Sequence, residues 1–279
     1  MKKPTFVETF KTIKPIIGMV HLPPLPGSPG YDRDGGIHKI IENVVEDARR
    51  LEAGGIDALQ IENQFDKPFP LPEDVGHEVV SVVTAAAAEV FRSVSIPAGV
   101  NIHLIAADQA LAVALAVGAQ WIRVFALANA YISTSGYVQA AGPRLLRYQR
   151  EIGAEHILIL GDFHVKHGSH SIIADRPLGE QALDAEEAGA DVIIATGFKT
   201  GVAPDTENVR EVQTSVNVPV FLGSGLSITN ADTLLPVIDG AIVGSTFKED
   251  GKITQPVSIE RVKRFMDVVR RFRNGVPKA

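Results

Sequence analysis

Within six residues, Asp162-Phe163-His164-Val165-Lys166-His167, the chain carries a carboxylate, two imidazoles and an amine. Side chains at i, i+2 and i+4 of an extended segment share one face. Asp162, His164 and Lys166 are therefore expected to point together, directly after the apolar run Ile157-Leu158-Ile159-Leu160. Such a set can move protons, hold an anion or ligate a metal. Glu62, which ends an apolar run of its own, joins them as a candidate catalytic residue. A Schiff-base role for Lys166 would need burial or a nearby cation to lower its pKa.

Other polar residues stand at equivalent places, and they are the candidate substrate-binding set. His21 ends the first apolar run, Asn63 follows Glu62 at the end of the second, and Asn101 and His103 end the third. Arg123 lies inside the fourth, between Ile122 and Val124. A charge in a strand buried on both sides needs a partner, which Asp162 or Glu62 could supply. The last two runs end differently, in Gly223-Ser224-Gly225 and Gly244-Ser245-Thr246. Small residues let backbone N–H groups approach an anion, and hydroxyls add donors. These turns are the candidate phosphate site, aided by the positive end of a following helix. The stretch from Thr196 through Lys199 to Gly201 would add a cationic wall. A divalent metal is a further candidate cofactor, with His21, Glu62, Asp162 and His164, and His103 beside them, as N and O ligands. No pair among them has a diagnostic spacing.

The elements that must position these residues alternate along the chain. Candidate strands cover residues 15–22, 57–63, 98–103, 121–127, 156–163, 191–197, 218–223 and 240–244. Runs this rich in Val, Ile and Leu read as strands buried on both faces. Helical patterns cover 37–53, 73–93, 106–117, 142–152, 177–188, 204–215, 230–236 and 258–273. Eight strand–helix units in 279 residues fit a (β/α)8 TIM barrel. A doubly wound sheet would show a glycine-rich phosphate loop after its first strand; here Pro23-Pro24-Leu25-Pro26-Gly27 follows instead. Turns from helix back to strand are short, whereas segments leaving the strands are long. Extra length therefore gathers on the C-terminal face, where barrel enzymes keep their sites. One such long segment, 128–141, reads as a mobile flap over the mouth. One domain is expected, with 1–14 as an N-terminal extension and 15–273 as the barrel.

Composition narrows the function. Forty-five per cent hydrophobic residues and 22% charged describe a globular chain. A net charge of −6 argues against nucleic-acid binding by bulk positive charge. The absence of cysteine excludes disulfides and thiolate chemistry. The first residues lack an apolar signal region. The most apolar stretch, 104–119, is too short and too polar to span a bilayer. A cytoplasmic homo-oligomer is expected, with peripheral membrane association unsupported by the sequence.

The segment Ile16-Ile17-Gly18-Met19-Val20-His21-Leu22-Pro23-Pro24-Leu25-Pro26-Gly27-Ser28-Pro29 resembles the opening of the BtpA family, which includes SgcQ-like proteins. Glu62-Asn63 with Asp66-Lys67-Pro68-Phe69 is similar to its second motif. His164-Val165-Lys166-His167, Thr196-Gly197, Gly223-Ser224-Gly225 and Val243-Gly244-Ser245 follow in the family's order, over residues 15–270. Where the family pattern reads Arg-Val-Asn, this chain has Arg123-Val124-Phe125, which removes a polar side chain at 125. The resemblance implies a ribulose-phosphate-binding type of barrel. It also implies two contexts: photosystem I biogenesis among cyanobacterial relatives, and carbohydrate uptake among SgcQ-like ones. The expected function is an enzyme of lyase or isomerase type acting on a small phosphorylated metabolite, such as a sugar phosphate or a nucleotide-like compound. The other reading is a non-catalytic stability factor for a membrane protein complex.

Overall fold

The computed structural model describes residues 3–197 and 204–275. Eight parallel strands close into a barrel: β1 (Ile16–His21), β2 (Ala58–Glu62), β3 (Ala98–Asn101), β4 (Trp121–Val124), β7 (Leu158–Asp162), β8 (Val192–Ala195), β9 (Val220–Leu222) and β10 (Gly240–Val243). The two remaining strands, β5 (Tyr131–Ser133) and β6 (Gly136–Val138), form an antiparallel hairpin in the segment after β4. Outside the barrel run α2 (Gly36–Ala53), α3 (His77–Ser93), α4 (Ala107–Val117), α5 (Gly142–Glu151), α6 (Leu178–Glu187), α7 (Thr206–Ser215), α8 (Ala231–Leu234) and α9 (Ile259–Gly275). Every barrel strand lies where the sequence predicts one, shorter than expected at one end or both, with β3, β4 and β10 starting at the predicted residue. The predicted helix at 73–93 begins instead at His77, after a 3-10 turn at Pro72–Asp74. The one at 230–236 shrinks to α8 and a 3-10 turn, Leu235–Val237.

Period-two alternation decides what the barrel encloses. Ile17 and Met19, Ala58, Trp121, Leu158 and Leu160, Val192 and Ile194, Phe221 and Ile242 form one buried cluster, separate from the larger cluster between barrel and helices. Continuing along the same inward faces, the strands reach His21, Glu62, Asn101, Arg123, Asp162, Gly223 and Gly244 at their C-terminal ends. The interior is thus apolar at one end and polar at the other. The large rings fit because two facing positions lack a side chain. A Cβ on Gly99 would stand 2.0 Å from Trp121 Nε1, and one on Gly240 would stand 2.4 Å from Phe221 Cζ. Inside, Gln60 Oε1 accepts from Trp121 Nε1 at 3.3 Å.

The apolar end is stoppered by α1 (Phe6–Phe10), capped by Thr5 and Glu8 in a reciprocal box. Phe10 packs 5.1 Å from the Trp121 ring and 5.8 Å from Phe221, and Phe6 meets Phe221 edge-on at 5.5 Å. The sequence reading has only an extension there, because five residues carry too little periodicity to register as a helix. The hairpin is the other element it lacks. Ile132 and Ser169 exchange backbone hydrogen bonds of 3.0 and 2.8 Å, and Ser135 Oγ donates to the Phe69 carbonyl at 2.6 Å. Those contacts pin the segment expected as a flap to the loops on either side. Among the described residues, no helix is long and apolar enough to cross a membrane.

Candidate functional site at the barrel mouth

The C-terminal end of β2 sets one half of the mouth. Glu62 is buried and both its oxygens are engaged: Oε2 accepts from Asn101 Nδ2 at 2.8 Å, and Oε1 lies 2.9 Å from His103 Nε2. Burial pushes the carboxyl up, but His103, Arg123 and His21 together hold it well below the usual carboxylate range. Glu62 is therefore a fixed negative charge. Asn63 braces the same corner, accepting from the His103 amide at 2.7 Å and donating to Asp66 at 3.2 Å. The His103 ring is stacked on Phe69 at 4.3 Å and tilted against Phe125 at 4.8 Å. The loop after β2 thus folds over this imidazole.

Across the barrel, Arg123 and Asp162 form a two-pronged ion pair, Nε to Oδ1 and Nη2 to Oδ2, both 2.8 Å. Asp162 is fully buried and Arg123 only 3% exposed. Burial raises the Asp162 pKa against the pull of Arg123. The guanidinium also lies 4.7 Å over the Phe125 ring. This ion pair makes Asp162 a buried partner of Arg123 rather than a free acid. Gly223 leaves room for it, since a Cβ there would sit 2.8 Å from Arg123 Nη2.

Glu62 and Arg123 meet the glycine turns around one cavity of about 290 Å³, whereas Asn63, Asn101, His103 and Asp162 stand behind them and do not line it. His21, Glu62, Arg123 and Lys166 line it together with Gly223, Ser224, Gly225, Gly244, Ser245 and Thr246. Ser224 Oγ is buried without a partner among the described residues, and so is His21 Nδ1. Burial lowers the His21 pKa to about 3, with Lys248, His103 and Lys166 pushing the same way and Glu62 opposing. The imidazole is neutral at ordinary pH. Burial, with Arg123 nearby, lowers the Lys166 amine to about 8. A free amine is therefore accessible near neutrality. Thr246 Oγ1 donates to the Leu226 carbonyl, which ties the two turns together, and Asn230 Nδ2 donates to that of Gly225 within the first turn, both at 2.8 Å.

Three expectations need correction. His164 does not join Asp162 and Lys166, because the strand ends at Asp162 and the chain bends immediately after it. Its Nδ1 instead meets Gln181 Oε1 on α6 at 3.0 Å, and its ring stacks on His170 at 3.9 Å. The metal set also fails to assemble: among the described residues, no three His, Asp or Glu side chains gather in a way that could hold an ion. Asp162 is spent on Arg123, and His164 faces elsewhere. Nor does a long helix follow the phosphate turns, since α8 has four residues and Ser245–Phe247 is a single 3-10 turn. Any anion there would be held by local amides and hydroxyls. Of the expected cationic wall, Phe198 to Gly201 lie outside the described residues. The sequence reading missed Gln64 and Asn230, which line the cavity, and Phe69, which covers His103. Phe69 sits in the quoted second motif; the others carry no signal beyond residue type.

Comparison with known proteins agrees with the fold and narrows the kinship. The model of the BtpA family matches residues 12–271. The photosystem I biogenesis protein BtpA of Synechocystis is 37% identical over 269 residues, spanning 94% of this chain and 90% of its own. An uncharacterized protein of Pyrococcus horikoshii is 36% identical over 94% of this chain and 98% of its own. Among solved structures, phosphoribosyl anthranilate isomerase of Thermus thermophilus superposes with a TM-score of 0.57 at 12% identity, covering 92% of this chain and 99% of that one. Orotidine 5′-monophosphate decarboxylase of Methanocaldococcus jannaschii, complexed with the inhibitor BMP, gives 0.57 at 12%, covering 96% and 100%. At such identities the likeness shows the barrel fold alone.

Proposed function

The chain belongs to the BtpA family, and from that premise we propose that it is an enzyme acting on a small phosphorylated metabolite at the barrel mouth. One observation carries the reading: ionisable groups and paired glycine–serine turns line the same cavity. The phosphate would sit between Ser224-Gly225 and Ser245-Thr246, taking hydrogen bonds from amides and from the unpartnered Ser224 hydroxyl. Arg123, aimed by Asp162, would add positive charge. Lys166 would move the proton, since an amine near pKa 8 is present in both forms at neutral pH. His103, its amide held by Asn63, and Asn101 would together fix Glu62 at the cavity wall beside the rest of the ligand. Lyase and isomerase chemistry on a phosphorylated metabolite can both use such a proton carrier beside the anchored phosphate. The name of the Synechocystis relative supports a second reading, a biogenesis factor that works by contact. The exposed large apolar residues of this chain, such as Val7, Ile37, Leu115 and Tyr137, come from separate elements, and such scattering is ordinary for a surface.

A thermal-shift screen of phosphorylated sugars and nucleotides against their dephosphorylated counterparts tests the reading. A ligand at 100 times its Kd adds about 2.7 kcal/mol of stability. Stabilisation by phosphorylated members alone is expected; equal shifts, or none, would overturn it.

A further inference from the structure

Beside the mouth lies a second cavity of about 560 Å³, between the segments that follow β1 and β10. His21 and Ile253 line both cavities, so the two share a wall. The mouth alone, at about 290 Å³, sits at the small end of ligand sites. It suits one compact phosphorylated unit. The chemistry of the second cavity differs. Pro23, Pro24, Pro256 and Phe65 give it ring-carbon faces, and the Phe65 ring stands edge-on to His21 at 6.0 Å. Its charges are already matched in pairs: Arg50 Nε donates to Glu46 Oε1 at 2.8 Å, and Lys248 Nζ to Asp47 Oδ2 at 2.5 Å. Neither an anion nor a cation would gain much there. Asn43 and Gln255 stand exposed at its rim, and a side-chain amide both donates and accepts. Flat apolar faces with a polar edge complement a neutral heterocycle. The buried His21 Nδ1, without a partner among the described residues, waits at the junction.

We propose that the two cavities are one bipartite site for a nucleoside 5′-monophosphate, with the phosphorylated sugar in the mouth, the neutral base in the side cavity and His21 beside the bond that joins them. This rests on the phosphate reading above and narrows its substrate class.

Calorimetry of the full chain with ribose 5-phosphate and with AMP, GMP, CMP and UMP tests both. At least one nucleotide is expected to bind about tenfold more tightly than ribose 5-phosphate, an increment of about 1.4 kcal/mol. Thr254 lies on the exposed outer wall of the side cavity alone. Thr254→Trp should fill that cavity and bring the nucleotide-to-sugar ratio close to one. Asn43→Ala, which removes only a rim amide, should lower the ratio by about threefold to tenfold. Circular dichroism checks that each variant folds. Nucleotides no tighter than ribose 5-phosphate, or a ratio unmoved in both variants, would overturn the bipartite site while leaving the phosphate reading standing. Binding of none of the five ligands would overturn both.

Discussion

Arg123 lies in a strand whose every residue is buried, and Asp162 is the group that makes this tolerable. Asp162 is not available as a free acid, but it fixes the Arg123 guanidinium at the cavity wall. Removing one partner of a buried pair leaves the other uncompensated, at a cost of about 3–5 kcal/mol. Asp162→Asn should therefore lower stability by about that much in urea denaturation, and Asp162→Leu combined with Arg123→Met should recover most of it. His21 gives a pH signature. Its folded pKa, about 3, lies below the unfolded value near 6.5, so the unfolded chain binds the proton first. Stability should fall as pH drops from 6.5 towards 3, by at most about 1.4 kcal/mol per pH unit from this group. His21→Gln should remove that increment in denaturation curves at pH 7 and pH 4.5. An unchanged slope would show that the imidazole is not buried neutral. The need for an Arg123 partner was legible in the sequence, because a lone charge between Ile122 and Val124 cannot stay unpaired. The direction of His164 was not, because i, i+2 reasoning holds only while the strand continues, and no residue type announces that it stops at Asp162.

At the scale of elements, the two turns after β9 and β10 carry the functional argument. Gly244 has φ −114°, outside the left-handed region, and a Cβ there would meet His21 Cε1 at 3.2 Å and Met19 Cγ at 3.6 Å. The backbone at 244 does not require glycine by its φ, and the pressure falls on His21 and the cavity. Gly244→Val should fold, by circular dichroism, yet bind a phosphorylated ligand at least about tenfold more weakly in calorimetry, since amides must approach an anion within about 3 Å. Undiminished affinity would put the anion elsewhere. The barrel strands were legible because Val, Ile and Leu runs bounded by turns repeat along the whole chain. The hairpin β5–β6 was not, since two three-residue strands present no alternation long enough to read. Its partners, Ser169 and Phe69, are distant in sequence, so only the closed barrel brings them near.

The whole molecule separates its stability from its site. The stopper of Phe6 and Phe10 closes the apolar end, and the polar groups gather at the other. Phe10→Ala should destabilise by about 3–5 kcal/mol, measured by urea denaturation, with ligand affinity in the folded protein unchanged. A loss of affinity there would mean that the two ends are coupled through the barrel. A crystal structure of the protein with ribose 5-phosphate would locate the phosphate outright. The phosphate is expected between Ser224-Gly225 and Ser245-Thr246, within about 3 Å of their amides and on the same side of the barrel as Arg123 and Lys166. A phosphate bound away from both turns, with the mouth left to solvent, would contradict it.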